Sequence, residues 1–178
     1  MPNPVTLDRR HFEDLYEGEV INLGAVAVTK DMIIEFAEEF DPFPFHLDEA
    51  AAKASLLGGL ASSGWQTAAL TLRLLVDSFL ADVAAMGSLG FSDLKWRKPV
   101  LVGDVISGTA TIASLRRSRS HPERGILALD LEVRNQRDEA VMSMRLTNIV
   151  EVRHPAGGVM TQPQQPYDAA GVAKGQRP

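Results

Sequence analysis

Cysteine is absent from the 178-residue chain, which excludes disulfides, thiolate metal ligands and a cysteine nucleophile. Histidine is scarce: four occur, and none falls in a His-x-x-x-His or comparable ligand spacing, so no metal is expected. A basic excess is also missing. The formal charge is −5 and the pI about 5.4, which argues against nucleic acid as a main partner. No apolar run reaches membrane-spanning length without a charge, and Met1 to Arg10 lack the apolar centre of a signal peptide. A cytoplasmic protein without a membrane partner is therefore expected. There is no Gly-x-Ser-x-Gly elbow, and no strand directly precedes Ser62-Ser63-Gly64, which sets aside a serine hydrolase.

What is present is concentrated in Phe40-Asp41-Pro42-Phe43-Pro44-Phe45-His46-Leu47-Asp48. Each proline fixes its own φ and pushes the residue before it out of the helical region, so Asp41 and Phe43 are expected to be extended in a semi-rigid segment. A carboxylate and an imidazole converging from such a turn can hold a water between them, one accepting a proton while the other gives or takes one. The plain alternative is that Asp41 caps its own backbone and His46 is a hydrogen-bonded core residue.

Around this motif the periodicity predicts a first strand over Val20 to Thr29, with Gly24 as a bulge, and a helix over Lys30 to Phe40 starting at Thr29. Asp48 is a natural N-cap for a short helix over Glu49 to Ser55. A small-residue loop, Leu56 to Ser63, leads into the longest helical pattern, Gly64 to Ala85. Its apolar residues (Ala68, Leu72, Leu75, Val76, Phe79, Val83) predict a largely buried helix. Strand patterns follow over Leu89 to Trp96, Val105 to Leu115, Ile126 to Arg134 and Ala140 to Val152, read as an antiparallel meander. One buried helix followed by long strands implies an α+β fold with the sheet wrapped around the helix. Residues 1–154 read as one domain. The remainder, 155–178, is rich in Pro, Gly, Gln and Ala, and reads as a flexible tail.

The ordered set Asp41 and His46, then Leu47-Asp48, then Gly58-Gly59-Leu60-Ala61-Ser62-Ser63-Gly64-Trp65, then Lys98-Pro99-Val100 and Val102-Gly103-Asp104, resembles the MaoC-like dehydratases and (R)-specific enoyl-CoA hydratases. Their hydratase motif has the form Gly-Asp-x-Asn-Pro-x-His. Here the acid, the second proline and the histidine match, while Phe40 and Phe43 replace the glycine and the asparagine.

The resemblance implies the hotdog fold, an antiparallel sheet around a long central helix, and at least a homodimer. It also implies water addition to a 2-enoyl-CoA, or its removal from a 3-hydroxyacyl-CoA, with Asp41 and His46 orienting the water. Coenzyme A enters only as part of the substrate, and no separate cofactor is expected. Gly64, at the start of the long helix, suits the thioester oxyanion, because glycine allows close approach and a helix N-terminus carries roughly half a positive charge. Ser63 is expected to cap that helix beside the substrate. Phe43, Phe45, Leu57, Leu60 and Trp65 flank the motif as candidates for an acyl tunnel or for ordinary core.

Two basic clusters, Arg116-Arg117-Ser118-Arg119 and Lys95 to Lys98 around Trp96, offer either phosphate contacts or solvated strand ends. The first reads better as a hairpin tip. A thioesterase on the same fold and a non-catalytic acyl-CoA-binding protein are the competing functions. Free thiol release from a saturated acyl-CoA distinguishes the former, and binding without turnover the latter.

Overall fold

The structure, a computed structural model, describes residues 9–155. The tail expected over 155–178 lies, apart from residue 155, outside the described residues.

The chain opens with a short 3-10 turn at Phe12–Asp14 and strand β1, Val20–Ala27, and continues into helix α1, Lys30–Phe40. The Thr29 hydroxyl accepts the Met32 N–H at 3.2 Å and so starts α1. Pro42 forbids helical continuation at Asp41, and α1 stops at Phe40. Two short helices follow, α2 at Pro44–Leu47 and α3 at Glu49–Ala54. Pro44 sits in the first turn of α2, where its missing N–H costs nothing. Asp48 caps α3 by accepting the Ala51 N–H at 2.7 Å.

The long helix, α4, spans Gly64–Ser78 and gives way to a 3-10 turn at Leu80–Asp82. It ends short of the expected Ala85 because Phe79 turns to φ −149°, ψ −56°. Four strands complete the fold: β2 (Ala85–Trp96), β3 (Val105–Arg117), β4 (Arg124–Arg134) and β5 (Ala140–Glu151). All pairings in the sheet are antiparallel.

The sheet order is β1-β3-β4-β5-β2. The expected meander therefore holds for β3, β4 and β5, while β2 crosses over to pair with β5 and forms the far edge. The register of β1 shifts between Asn22 and Ala25, where Gly24 takes φ +76°. This is the bulge its glycine predicts.

Leu75 of α4 and Phe79 just after it join Ile106, Ile112, Leu129 and Met144 of the strands in one buried cluster. Each fully buried aliphatic side chain of that size contributes about 1.5–3 kcal/mol. The helix is not buried all round as its composition predicts. Gln66, Thr67, Thr71 and Leu75 form its buried face, whereas Trp65, Leu72 and Val76 are exposed. One sheet covers one side of a helix, and the second apolar side faces outward. The buried threonines satisfy their hydroxyls on the helix itself, Thr71 donating to the Thr67 carbonyl at 2.8 Å and Thr67 to the Ser63 carbonyl at 3.2 Å.

Candidate active site

The proline-stiffened turn places Asp41 at the C-terminus of α1 and His46 inside α2. Phe43 is extended as expected, at φ −77°, ψ 139°. Asp41 has φ −151° and ψ 64°. The turn is closed by backbone, with the Phe43 N–H donating to the Asp41 carbonyl at 2.8 Å. The Asp41 carboxylate is thus free of its own backbone and reaches across to α4, where Oδ2 accepts the Ser63 hydroxyl at 2.6 Å.

His46 is buried, and its Nδ1 lies 2.8 Å from the Ala61 carbonyl. A carbonyl only accepts, so Nδ1 carries a proton and Nε2 is the nitrogen left for chemistry. Nε2 stands 3.6 Å from Asp41 Oδ2. That gap is too long for a direct hydrogen bond, yet short enough for one water at about 2.8 Å from each atom.

Asp41 and His46 open into a cavity of about 400 Å³ together with Ser62, Ser63, Gly64, Trp65 and Thr67 from the start of α4. Phe45 and Leu57 supply apolar wall, and Trp96, Arg97, Lys98, Pro99, Val100 and Val141 complete the lining. Phe45 packs edge-on against the His46 imidazole, with centroids 4.7 Å apart, and so helps hold the ring. Phe43 stacks on Phe45 at 5.2 Å but is 57% exposed and does not line the cavity. Leu60, also expected near substrate, is a core residue.

Gly64 lines the cavity as the first residue of α4. The first N–H groups of a helix have no partner within it. The Trp65 N–H goes to the Ser63 hydroxyl at 3.2 Å and the Thr67 N–H to the Ser63 carbonyl at 3.0 Å. Glycine here has a packing reason whose partner the sequence hid. A Cβ at residue 64 would lie 2.5 Å from Trp96 Cε2, and the Trp96 indole N–H donates to the Gly64 carbonyl at 2.9 Å. Trp96 also meets Trp65 edge-to-face at 5.4 Å.

Ser62 faces inward, donating to Gln66 Oε1 at 2.7 Å, while Gln66 donates to the Met32 carbonyl and ties α4 to α1. Of the two basic clusters, only the second reaches the cavity. Arg97 touches the Ser143 hydroxyl at 3.1 Å, and Lys98 pairs with Glu139 at 2.6 Å. Arg117 pairs with Glu13 at 2.8 Å and lies over the Phe12 ring, a structural role at the hairpin end. Among the described residues, no group of His, Asp and Glu gathers in a metal-ligand arrangement.

Three contributors escape sequence reasoning: the Ala61 carbonyl, the Ser63 to Asp41 bond and the Trp96 wall. The Lys98-Pro99-Val100 motif was the available signal for the last, since it follows Trp96 directly and its residues border the cavity.

The chain is 39% identical to the MaoC-like dehydratase of Rhodospirillum rubrum, whose crystal structure it matches at a TM-score of 0.73 over 82% of this chain and 99% of that one. It is 30% identical to the uncharacterized protein YdeM of Bacillus subtilis over 135 residues, 75% of this chain and 94% of the relative. A shorter match, 35% identical over 69 residues, links it to the mesaconyl-CoA hydratase of Haloarcula hispanica, covering 38% of this chain and 19% of that protein. The wrapped helix and five-stranded antiparallel sheet are the hotdog fold. With the profile described as MaoC like domain matching residues 15–129, the chain belongs to the MaoC-like family.

Proposed function

We propose that this protein is a hydratase/dehydratase of 2-enoyl and 3-hydroxyacyl thioesters. The observation that carries the reading is the placement of His46 Nε2 and Asp41 Oδ2, 3.6 Å apart at one cavity. A water held between them loses one proton to this pair as its oxygen bonds to C3 of the enoyl group. The electrons of the double bond move to C2 and the thioester oxygen, and a proton from the same pair then completes C2. Water has been added and nothing else consumed; the reverse is dehydration.

The charge that builds on the thioester oxygen is met by the Gly64 N–H and the positive end of the fifteen-residue α4. Phe45, Leu57 and Trp65 supply apolar wall for the acyl group. Coenzyme A belongs to the substrate, and the residues named complete the proton transfers without a further cofactor. The match to a mesaconyl-CoA hydratase supports a coenzyme A thioester as the carrier. A second copy of the chain, docked on the β2 edge, is the expected partner.

The test is loss of the enoyl-thioester absorbance with crotonyl-CoA and a set of longer and branched 2-enoyl-CoAs. Wild type is expected to remove the band, and Asp41→Asn to lose on the order of a hundredfold or more in turnover while remaining folded. Equal rates in both proteins overturn the assignment, and thiol release from a saturated acyl-CoA redirects it to a thioesterase.

A further inference from the structure

Asp104 ends the Val102-Gly103-Asp104 motif and does not line the cavity, yet it is 3% exposed. A carboxylate removed from water is costly unless both oxygens are served. Here they are. One oxygen accepts the Leu101 N–H at 2.9 Å, and the other accepts Gln136 Nε2 at 2.8 Å and Arg137 Nη1 at 3.2 Å. The last two donors come from the turn between β4 and β5, so this carboxylate pins the 100–104 loop to that turn.

Leu101 faces Ala61 in an antiparallel bridge. The Ser62 N–H donates to the Val100 carbonyl at 2.8 Å and the Val102 N–H to the Leu60 carbonyl at 2.9 Å. The Ala61 carbonyl fixed in this way receives His46 Nδ1–H. We propose that Asp104 is a positioning residue for His46, acting through the Leu101–Ala61 bridge to hold the carbonyl that sets the imidazole's tautomer and orientation. The inference rests on the reading of His46 as a proton-transfer residue.

A carboxylate is required rather than an amide. In Asp104→Asn, the amide nitrogen must face either the Leu101 N–H or the Gln136 and Arg137 donors, and one side of the clamp opens. Adding Gln136→Glu restores the link between residues 104 and 136, and Arg137, which loses its acceptor at residue 104, can pair with the new carboxylate instead. The new carboxylate accepts from the amide nitrogen introduced at position 104 and still accepts the Val105 N–H, which Gln136 Oε1 now takes at 3.0 Å.

The experiment compares wild type, Asp104→Asn and the double variant Asp104→Asn/Gln136→Glu. Steady-state hydration, thermal melting and the ring-nitrogen NMR shifts of His46 are the readouts. The single variant is expected to lose about tenfold or more in kcat, since small misplacements of a catalytic group are that costly. KM is expected to stay within about twofold, because binding is not what changes. The Nδ1-protonated tautomer of His46 is expected to lose its dominance, and the double variant to recover both tautomer and rate.

If melting falls while the His46 nitrogen shifts and kcat stay as in wild type, Asp104 is only structural and the proposal is overturned. A wild type without hydratase activity overturns the functional reading, while the nitrogen shifts still decide this one. If Asp104→Asn does not fold, Arg137→Gln, which removes one donor from the same carboxylate, is expected to shift the tautomer in the same direction. An unchanged tautomer there also overturns the proposal.

Discussion

The Ser63 hydroxyl joins the two halves of the site, donating to Asp41 Oδ2 at 2.6 Å while its oxygen accepts the Trp65 N–H at 3.2 Å. One side chain caps α4 and orients the carboxylate that faces His46.

Ser63→Ala removes both bonds. The lost cap is expected to cost about 1 kcal/mol of stability. Turnover is expected to fall by about tenfold or more as Asp41 loses its fixed rotamer. Ser63→Thr keeps the hydroxyl and is expected to retain most of both. Urea unfolding and hydration rates on the three proteins check this, and equal turnover in wild type and Ser63→Ala removes Ser63 from the site.

Gly64→Ala tests the contact that the sequence concealed. Its Cβ lands on the Trp96 indole, and overpacking of this kind costs about 1–3 kcal/mol. In a Trp96→Leu background the space exists, so the destabilisation by alanine at residue 64 is expected to shrink markedly. Melting temperatures of the two single variants and the double variant decide it. An additive double variant means that the glycine is not there to seat Trp96.

Most of the frame is legible because its signals are local. Thr29 and Asp48 cap their helices, Gly24 bulges β1, and Pro42 stops α1 where its chemistry says it must. Asp41 and His46 are found for the same reason, five residues apart on one turn. The Ser63 to Asp41 bond spans 22 residues and the His46 to Ala61 bond 15, and no periodicity encodes such distances. The position of β2 is likewise decided by pairing energies across the sheet. Its pattern reads the same whether its neighbour is β3 or β5. Phe43, near His46 in sequence, stacks on Phe45 and stays largely exposed, so Phe45 and not Phe43 lines the cavity.

Glu139 provides a prediction in pH. Asn135, Lys98 and Arg137 all donate to its carboxylate and hold it from an ordinary value of 4.5 down to about 2. A carboxylate depressed in the folded state contributes stability above its unfolded value and loses it as pH falls through the folded one. The stabilisation is therefore expected to be complete above pH 4.5 and to disappear towards pH 2. Glu139→Gln is expected to flatten this part of the stability profile. Urea midpoints between about pH 5 and pH 2 measure it, and parallel curves for the two proteins remove Glu139 as a contributor.

The β2 edge carries the last prediction. β2 is twelve residues long and pairs only with β5, and Met86, Leu89 and Phe91 along it are exposed beside Trp65 of α4, which is 52% exposed. Trp65 meets the Phe91 ring at 6.2 Å, so the strand and the helix present one apolar surface. β1, the opposite edge, exposes Val20 alone among its large apolar residues. An apolar edge with free N–H and C=O groups is a template for another strand. A second copy is expected to meet it with the same surface about a two-fold axis. Phe91→Lys places a charge in the middle of that surface without touching the buried core. Sedimentation velocity is expected to show a dimer for wild type and a folded monomer for the variant. A Phe91→Lys protein that sediments as wild type does places the interface elsewhere.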